Sequence, residues 1–147
     1  MLALDAATGQ RLWHFQFVHH DLWDRDPPSP PSLVTVRRGG RTIEAVAQAT
    51  KHGFLFLFDR TNGQPVYPIA EQKFPATDVP GDVSSPTQPV PTLPKPFARQ
   101  LLTADLLTDR TPEAHAWALQ QFKTFRSEGQ FVQYIAFALP QERTADR

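Results

Sequence analysis

One pattern constrains this chain more than any other, because it occurs twice. Ala3-Leu4-Asp5-Ala6-Ala7-Thr8-Gly9-Gln10-Arg11-Leu12-Trp13 can be laid on Leu57-Phe58-Asp59-Arg60-Thr61-Asn62-Gly63-Gln64-Pro65-Val66-Tyr67, an offset of 54 residues from position 3 to position 57. Asp, Gly and Gln coincide, and an aromatic residue closes both copies. In a turn, Asp accepts backbone N–H bonds and Gly supplies a positive φ. The closing aromatic is then placed to pack on a neighbouring unit. A spacing of this size suits a repeated supersecondary unit. Two unrelated hairpin turns of the form Asp-x-x-x-Gly would read the same way, and both readings stand at this point.

The text between the two copies is β in character. Residues 12–18 alternate, with Trp13, Phe15 and Phe17 on one side and His14 and Gln16 on the other, the period of a half-buried strand. Residues 33–37 form a second strand, Gly39-Gly40 a hairpin turn, and residues 42–48 the returning strand with Ile43, Ala45 and Ala47 on one face. Residues 54–58, Phe-Leu-Phe-Leu-Phe, are expected as a strand buried on both faces. A further strand is expected to begin at Gln64–Tyr67. Four strands joined by short connections make up one blade of a propeller.

Beyond the second copy the composition changes. Most of the 15 prolines fall between Pro65 and Pro112, so residues 74–99 are expected as irregular surface chain. Thr111-Pro112-Glu113 then opens a helix with a Thr cap, Pro in the first position and an acid in the first turn. It is expected to run to about Ser127 and to carry Leu119, Phe122 and Phe125 as its apolar stripe. The expected divisions are a blade segment over 1–73, a Pro-rich loop or arm over 74–110, a helix over 111–128 and a divergent tail over 129–147.

Several functions are excluded by what is missing. Fifteen acidic residues balance fifteen basic ones, which gives no pointer to nucleic acid or an anionic membrane. There is no cysteine, hence no disulfide framework, Cys-ligated zinc, iron–sulfur cluster or thiol nucleophile. No run is long and apolar enough to span a bilayer. No signal peptide is visible. The chain opens directly on a strand and turn, as a part of something longer would, so that missing signal says little about export.

The densest chemistry lies at His19-His20-Asp21-Leu22-Trp23-Asp24-Arg25-Asp26, in the connection after the Trp13 strand. Three carboxylates and two imidazoles suit a general base or a hard-metal site. A zinc ion shared by His19 and His20 is disfavoured, because adjacent residues on extended chain point opposite ways. The plain alternative is a polar loop whose carboxylates cap backbone N–H groups, with Trp23 as core. A second candidate is Lys51, in Gln48-Ala49-Thr50-Lys51-His52-Gly53; a solvated turn lysine reads identically.

At these residues the sequence resembles the dehydrogenases that depend on pyrroloquinoline quinone (PQQ), in the glucose and quinate dehydrogenase branch. The resemblance covers roughly residues 2–130. Ala3-x-Asp5-x-x-Thr8-Gly9-x-x-x-Trp13 is similar to the tryptophan-docking repeat that locks adjacent blades of an eight-bladed propeller. His19 to Asp26 resembles the active-site segment, Gln48 to Arg60 the following strand pair, and Ser85-Pro86-Thr87-Gln88-Pro89 a further part of the branch's pattern. The resemblance implies a mainly β fold, a partial propeller of about one and a half four-stranded blades with a long Pro-rich loop and a C-terminal helix.

The resemblance also implies roles. Asp24 aligns with the catalytic base and Lys51, 27 residues on, with the basic residue that contacts PQQ. Asp24 and Asp26 are candidate ligands of a divalent metal, calcium or magnesium; an Asp at the second position binds the ion in lanthanide-using alcohol dehydrogenases of the wider family, whereas in the sugar-dehydrogenase branch an Asp is usual there without that role. His19, His20 and Asp21 belong to the motif without an assigned role. The implied reaction oxidises a sugar, polyol or related alcohol. A carboxylate takes the alcohol proton while hydride moves to the quinone, and Lys51 stabilises the charge that builds on the quinone oxygen. The implied acceptor is a quinone or cytochrome, and the implied location periplasmic.

The departures carry expectations too. One blade and a part leaves out the remaining propeller blades, which become required partners, so the isolated chain is expected to be inactive. From Val132 onward the text leaves the family pattern, as a frameshifted or truncated gene model would. The alternatives are a propeller-type binding or scaffold module without redox work, and an inactive truncated fragment. The Trp23-Asp24-x-Asp26 and Lys51 pairing favours the enzyme, since a scaffold has no need of it.

Overall fold

A computed structural model of the protein describes residues 1–132. Among the described residues seven strands follow one another in chain order: β1 (Leu2–Leu4), β2 (Arg11–His14), β3 (Ser32–Arg38), β4 (Arg41–Ala49), β5 (Leu55–Asp59), β6 (Ile69–Lys73) and β7 (Thr87–Pro91). They form three antiparallel sheets, β1-β2, β3-β4-β5 and β6-β7, that do not close into a barrel. This is the mainly β, partial-propeller architecture expected.

The central sheet is the rigid part. Gly39 and Gly40 turn β3 into β4 with positive φ of 56° and 73°, as a two-residue hairpin requires. Register then pairs Val46 with Phe58 and Gln48 with Phe56, so these four share a face. Phe56 and Phe58 are fully buried there. What covers them is the segment after β2. Phe15 lies 4.7 Å from Phe58 and Phe17 5.0 Å from Phe56, centroid to centroid. The alternation of Trp13, Phe15 and Phe17 therefore places all three on β5, although the β1-β2 ladder itself stops at His14. Burial is one-sided: Leu55 and Leu57, on the opposite face of β5, are only half-buried. The expectation of a strand buried on both faces is corrected accordingly.

Three further expectations meet differences. The strand expected at Gln64–Tyr67 is reduced to a single bridge, Phe58 to Pro65, made by two hydrogen bonds, from Val66 N–H to the Leu57 carbonyl and from Asp59 N–H to the Gln64 carbonyl. Pro68, two residues beyond Val66 on the side facing β5, lacks the donor to extend it. The stretch expected as irregular contains β7. Thr92 N–H points to the Pro68 carbonyl, next to β6, so by the two-residue period the donors missing at Pro89 and Pro91 fall on the edge away from β6, where proline is tolerated.

The helix, α1 (Pro112–Phe122), starts where expected, with the Thr111 hydroxyl accepting from Ala114 N–H. It ends a turn early because the Thr124 hydroxyl takes the Gln121 carbonyl at 2.7 Å, a competitor for the helical bond. Leu119 and Phe122 are half-buried, and Phe125 is exposed. Among the described residues no helix is long and apolar enough to cross a membrane. Phe131 and Val132 are buried; of the 129–147 stretch expected as a divergent tail, residues 133–147 lie outside the described residues.

Candidate active site

The loop from His19 to Asp26 leaves the aromatic layer at Phe17 and Val18, both buried. Two of its residues, His20 and Asp24, hold left-handed backbone with φ of 46° and 55°. Non-glycine residues adopt this at some cost, so other contacts must hold the loop. Asp21 supplies one set. Its two carboxylate oxygens accept the N–H groups of Trp23 at 2.9 Å and Arg25 at 2.6 Å. For Asp21, the capping alternative is what the structure shows. Trp23 turns inward and meets Phe131 edge-on at 5.5 Å.

That capped turn presents Asp24 and Asp26 outward, side by side. Lys51 reaches them from the turn before β5. Its ammonium donates to the Asp24 carbonyl at 2.7 Å, to Asp24 Oδ2 at 2.9 Å and to Asp26 Oδ1 at 3.4 Å. Thr50 fixes the base of that turn by exchanging bonds with the Phe54 backbone. Gly53 follows with φ of 84°, and a Cβ there would lie 2.6 Å from Ala98 Cβ. The three charged groups sought in the sequence are thus in one place, though 25 to 27 residues separate Lys51 from the two aspartates.

The electrostatics follow from the contact. The Lys51 ammonium, with a smaller contribution from the Asp26 carboxyl, holds the Asp24 carboxyl below the usual carboxylate range. Asp24 in turn pushes the Lys51 ammonium up. Both are ionised at neutral pH. The Asp24 side chain is 85% exposed, so the pair contributes little to stability and stays open to solute. A cleft of about 340 Å³ adjoins the loop, lined by Phe15, Phe17, Asp21, Arg25 and Asp26 but by neither Asp24 nor Lys51.

His52, beside Lys51, behaves oppositely. Its side chain is buried against Phe54 and Phe131, and among the described residues neither ring nitrogen has a partner. Burial, then the Arg25 charge, lowers its pKa to about 4, so it stays neutral.

Residues 1–141 match the family model described as PQQ, glucose/ethanol/alcohol dehydrogenase, beta-propeller domain. The chain belongs to the PQQ-dependent dehydrogenase β-propeller family. Among curated proteins it is 42% identical over 116 residues to quinoprotein glucose dehydrogenase A of Acinetobacter calcoaceticus, covering 75% of this chain and 14% of that one. It is 36% identical over 133 residues to the quinate/shikimate dehydrogenase (quinone) of Acinetobacter baylyi, covering 90% and 16%. A third relative, the glycerol dehydrogenase large subunit of Gluconobacter oxydans, is 42% identical over 91 residues, covering 60% and 12%. The chain thus spans about a seventh of the length of the curated relatives it matches. No solved structure matches it.

For a PQQ-dependent family the donor chemistry can be tested directly. PQQ is anionic, and an exposed ammonium held at the loop by two carboxylates and a carbonyl fits such a group. A divalent ion fits in kind but not in number. Among the described residues no three His, Asp or Glu side chains come together to hold a metal. Asp24 and Asp26 fall short of the six or more oxygens that calcium takes.

Two contacts of the site were not singled out in the sequence. Gln88 lies fully buried and bonds the backbone of His19, and Glu71 takes the His19 ring at 3.0 Å. Gln88 appeared only as a member of the Ser85-Pro86-Thr87-Gln88-Pro89 stretch, with no role given to it; Glu71 had no signal.

Proposed function

We propose that this chain supplies the proton-accepting and cofactor-contacting residues of a PQQ-dependent dehydrogenase that oxidises a sugar, polyol or related alcohol. The observation that carries the reading is the contact of Lys51 with Asp24, made by a family member at the two positions that resemble the base and the quinone-contacting lysine. PQQ, when bound, supplies the electrophilic carbonyl that accepts hydride.

The chain's own residues do the rest. Asp24, ionised and exposed, stands ready to accept a hydroxyl proton at its carboxylate. Lys51 keeps it ionised while no substrate is present, so no proton has to be removed from the base first. The same ammonium can give up part of its contact with Asp24 to an anionic oxygen, since its three donors are shared among three acceptors. Asp21, by taking the N–H groups of Trp23 and Arg25, holds Asp24 in its left-handed conformation and aims it out of the loop. The flanking blades of a longer propeller would complete the enclosure, and with it the substrate and acceptor specificity. Periplasmic placement and a quinone or cytochrome acceptor belong to the same proposal.

The test is reconstitution. Residues 1–132 are grafted over the matching segment of a quinoprotein glucose dehydrogenase, and the apoprotein is titrated with PQQ in calcium or magnesium buffer. Lys51→Ala is expected to raise the PQQ concentration for half-reconstitution at least tenfold, the order of one charged contact. Equal reconstitution of Lys51→Ala and the unsubstituted graft would remove Lys51 from the site.

A further inference from the structure

Gln88 is fully buried in β7 and makes no hydrogen bond to Asp24 or Lys51; its bonds go to His19. Its amide Oε1 accepts from His19 N–H at 2.7 Å, and its Nε2 donates to the His19 carbonyl at 2.9 Å. A carboxamide is a peptide group on a side chain, with one acceptor and donors on the same plane. Gln88 therefore makes with His19 the two-bond exchange that a β-bridge would make. The sequence explains why a side chain is needed. Pro89 and Pro91 remove the backbone donors from the outer edge of β7, so that edge cannot pair in the ordinary way. From the other strand of the hairpin, Glu71 takes the His19 ring, a contact that lowers the Glu71 pKa.

His19 is where the site loop begins. After it come the left-handed His20, the turn capped by Asp21, and the left-handed Asp24 held by Lys51. The loop is thus pinned at its entry, middle and exit by three separate side chains. Entry is the pin that ties it to another sheet. Without Gln88, the His19 backbone would lose both of its bonds to β7. The loop would then shift to recover partners from water.

We infer that Gln88 is a positioning residue: it fixes the start of the 19–26 loop so that Asp24 arrives within reach of Lys51. Its functional meaning rests on the reading of Asp24 and Lys51 given above, but the geometric claim does not.

The experiment uses the full chain, with nitrogen-15 lysine, and observes the ammonium signals by NMR at low temperature and mildly acidic pH. The Lys51 signal is identified as the one lost in Lys51→Arg, and His19 N–H exchange is followed in parallel. Gln88→Leu, which removes both bonds, is expected to merge the Lys51 signal with those of Lys73, Lys95 and Lys123 and to speed His19 exchange at least tenfold. Val90→Ala opens a cavity in the same strand and leaves both Gln88 bonds to His19 in place; it is expected to lower the melting temperature and leave the Lys51 signal in place. Should Gln88→Leu fail to fold, Gln88→Glu decides the matter, since an ionised carboxylate keeps the acceptor and loses the donor; an averaged Lys51 signal is expected. An unchanged Lys51 signal in the folded Gln88 variant, or the same loss in Val90→Ala, overturns the inference. Both readouts report geometry, so their failure leaves the Asp24 and Lys51 reading to be judged on turnover and reconstitution.

Discussion

The two copies of the Asp-to-Gly turn are closed by the same bonds but stand in different surroundings. In each, the Asp N–H donates to a Gln carbonyl at 2.8 Å and the Gly N–H to the Asp carbonyl at 2.8 Å. In each, the Asp carboxylate accepts from a nearby Thr and is held below its ordinary pKa, chiefly by that hydroxyl. The aromatics that follow part ways. Trp13 crosses to the second turn, where its indole N–H donates to the Arg60 carbonyl at 3.0 Å and its ring lies against Gly63. Tyr67 stays with its own sheet, under the Arg38 guanidinium at 4.8 Å. The turn is thus a local structure that five residues can write, whereas docking is a tertiary event that needs a second copy of the turn to receive the ring.

The glycines give the sharpest way to break this comparison. A Cβ on Gly63 would lie 2.7 Å from the Trp13 ring, while one on Gly9 would meet nothing within 4 Å; their φ values, 73° and 71°, are alike. Gly63→Ala is expected to cost about 3 kcal/mol, from backbone strain plus displacement of the indole. Denaturant unfolding measures it, and a loss equal to that of Gly9→Ala would mean that Trp13 is not docked.

The next effect tests whether the buried side is as dry as the docking implies. His52 titrates near 6.5 when unfolded and at about 4 when folded. The folded state therefore binds fewer protons between those values, and stability falls as pH drops from 6.5 toward 4, by roughly 2–3 kcal/mol. His52→Leu is expected to flatten that limb without lowering stability at pH 7, since among the described residues neither ring nitrogen has a partner to lose. A pH profile unchanged by the substitution would show His52 to be hydrated. The smallest effect is the control, Gly9→Ala, with about 1 kcal/mol from the positive φ alone.

What could be read in the sequence follows the same division between local and tertiary. Turns, the hairpin at Gly39-Gly40 and the Thr111 cap are set by residues a few positions apart, and all are found in place. The alternation of Trp13, Phe15 and Phe17 gave their common face but not the end of the strand, because the ladder depends on how far β1 extends. β7 was hidden by proline content; only the partner strand reveals that the missing donors point outward. Asp24 and Lys51 entered as candidates from the polar cluster and the turn that hold them, but their pairing came through family likeness, since nothing local to either residue signals the other. Gln88 was hidden for the same reason: its partner lies 69 residues away, and a buried amide among prolines has no periodicity to betray it.

The central claim is that Asp24 is the proton acceptor in a site the rest of a propeller completes. It is tested most directly by comparing turnover of Asp24→Asn with that of the unsubstituted graft, each fully loaded with PQQ, using reduction of an artificial dye by glucose and a panel of polyols. Asparagine keeps the shape and removes the base, so kcat is expected to fall on the order of 10²–10⁴-fold while the PQQ loading stays the same. An Asp24→Asn graft that turns over at the unsubstituted rate would contradict the assignment.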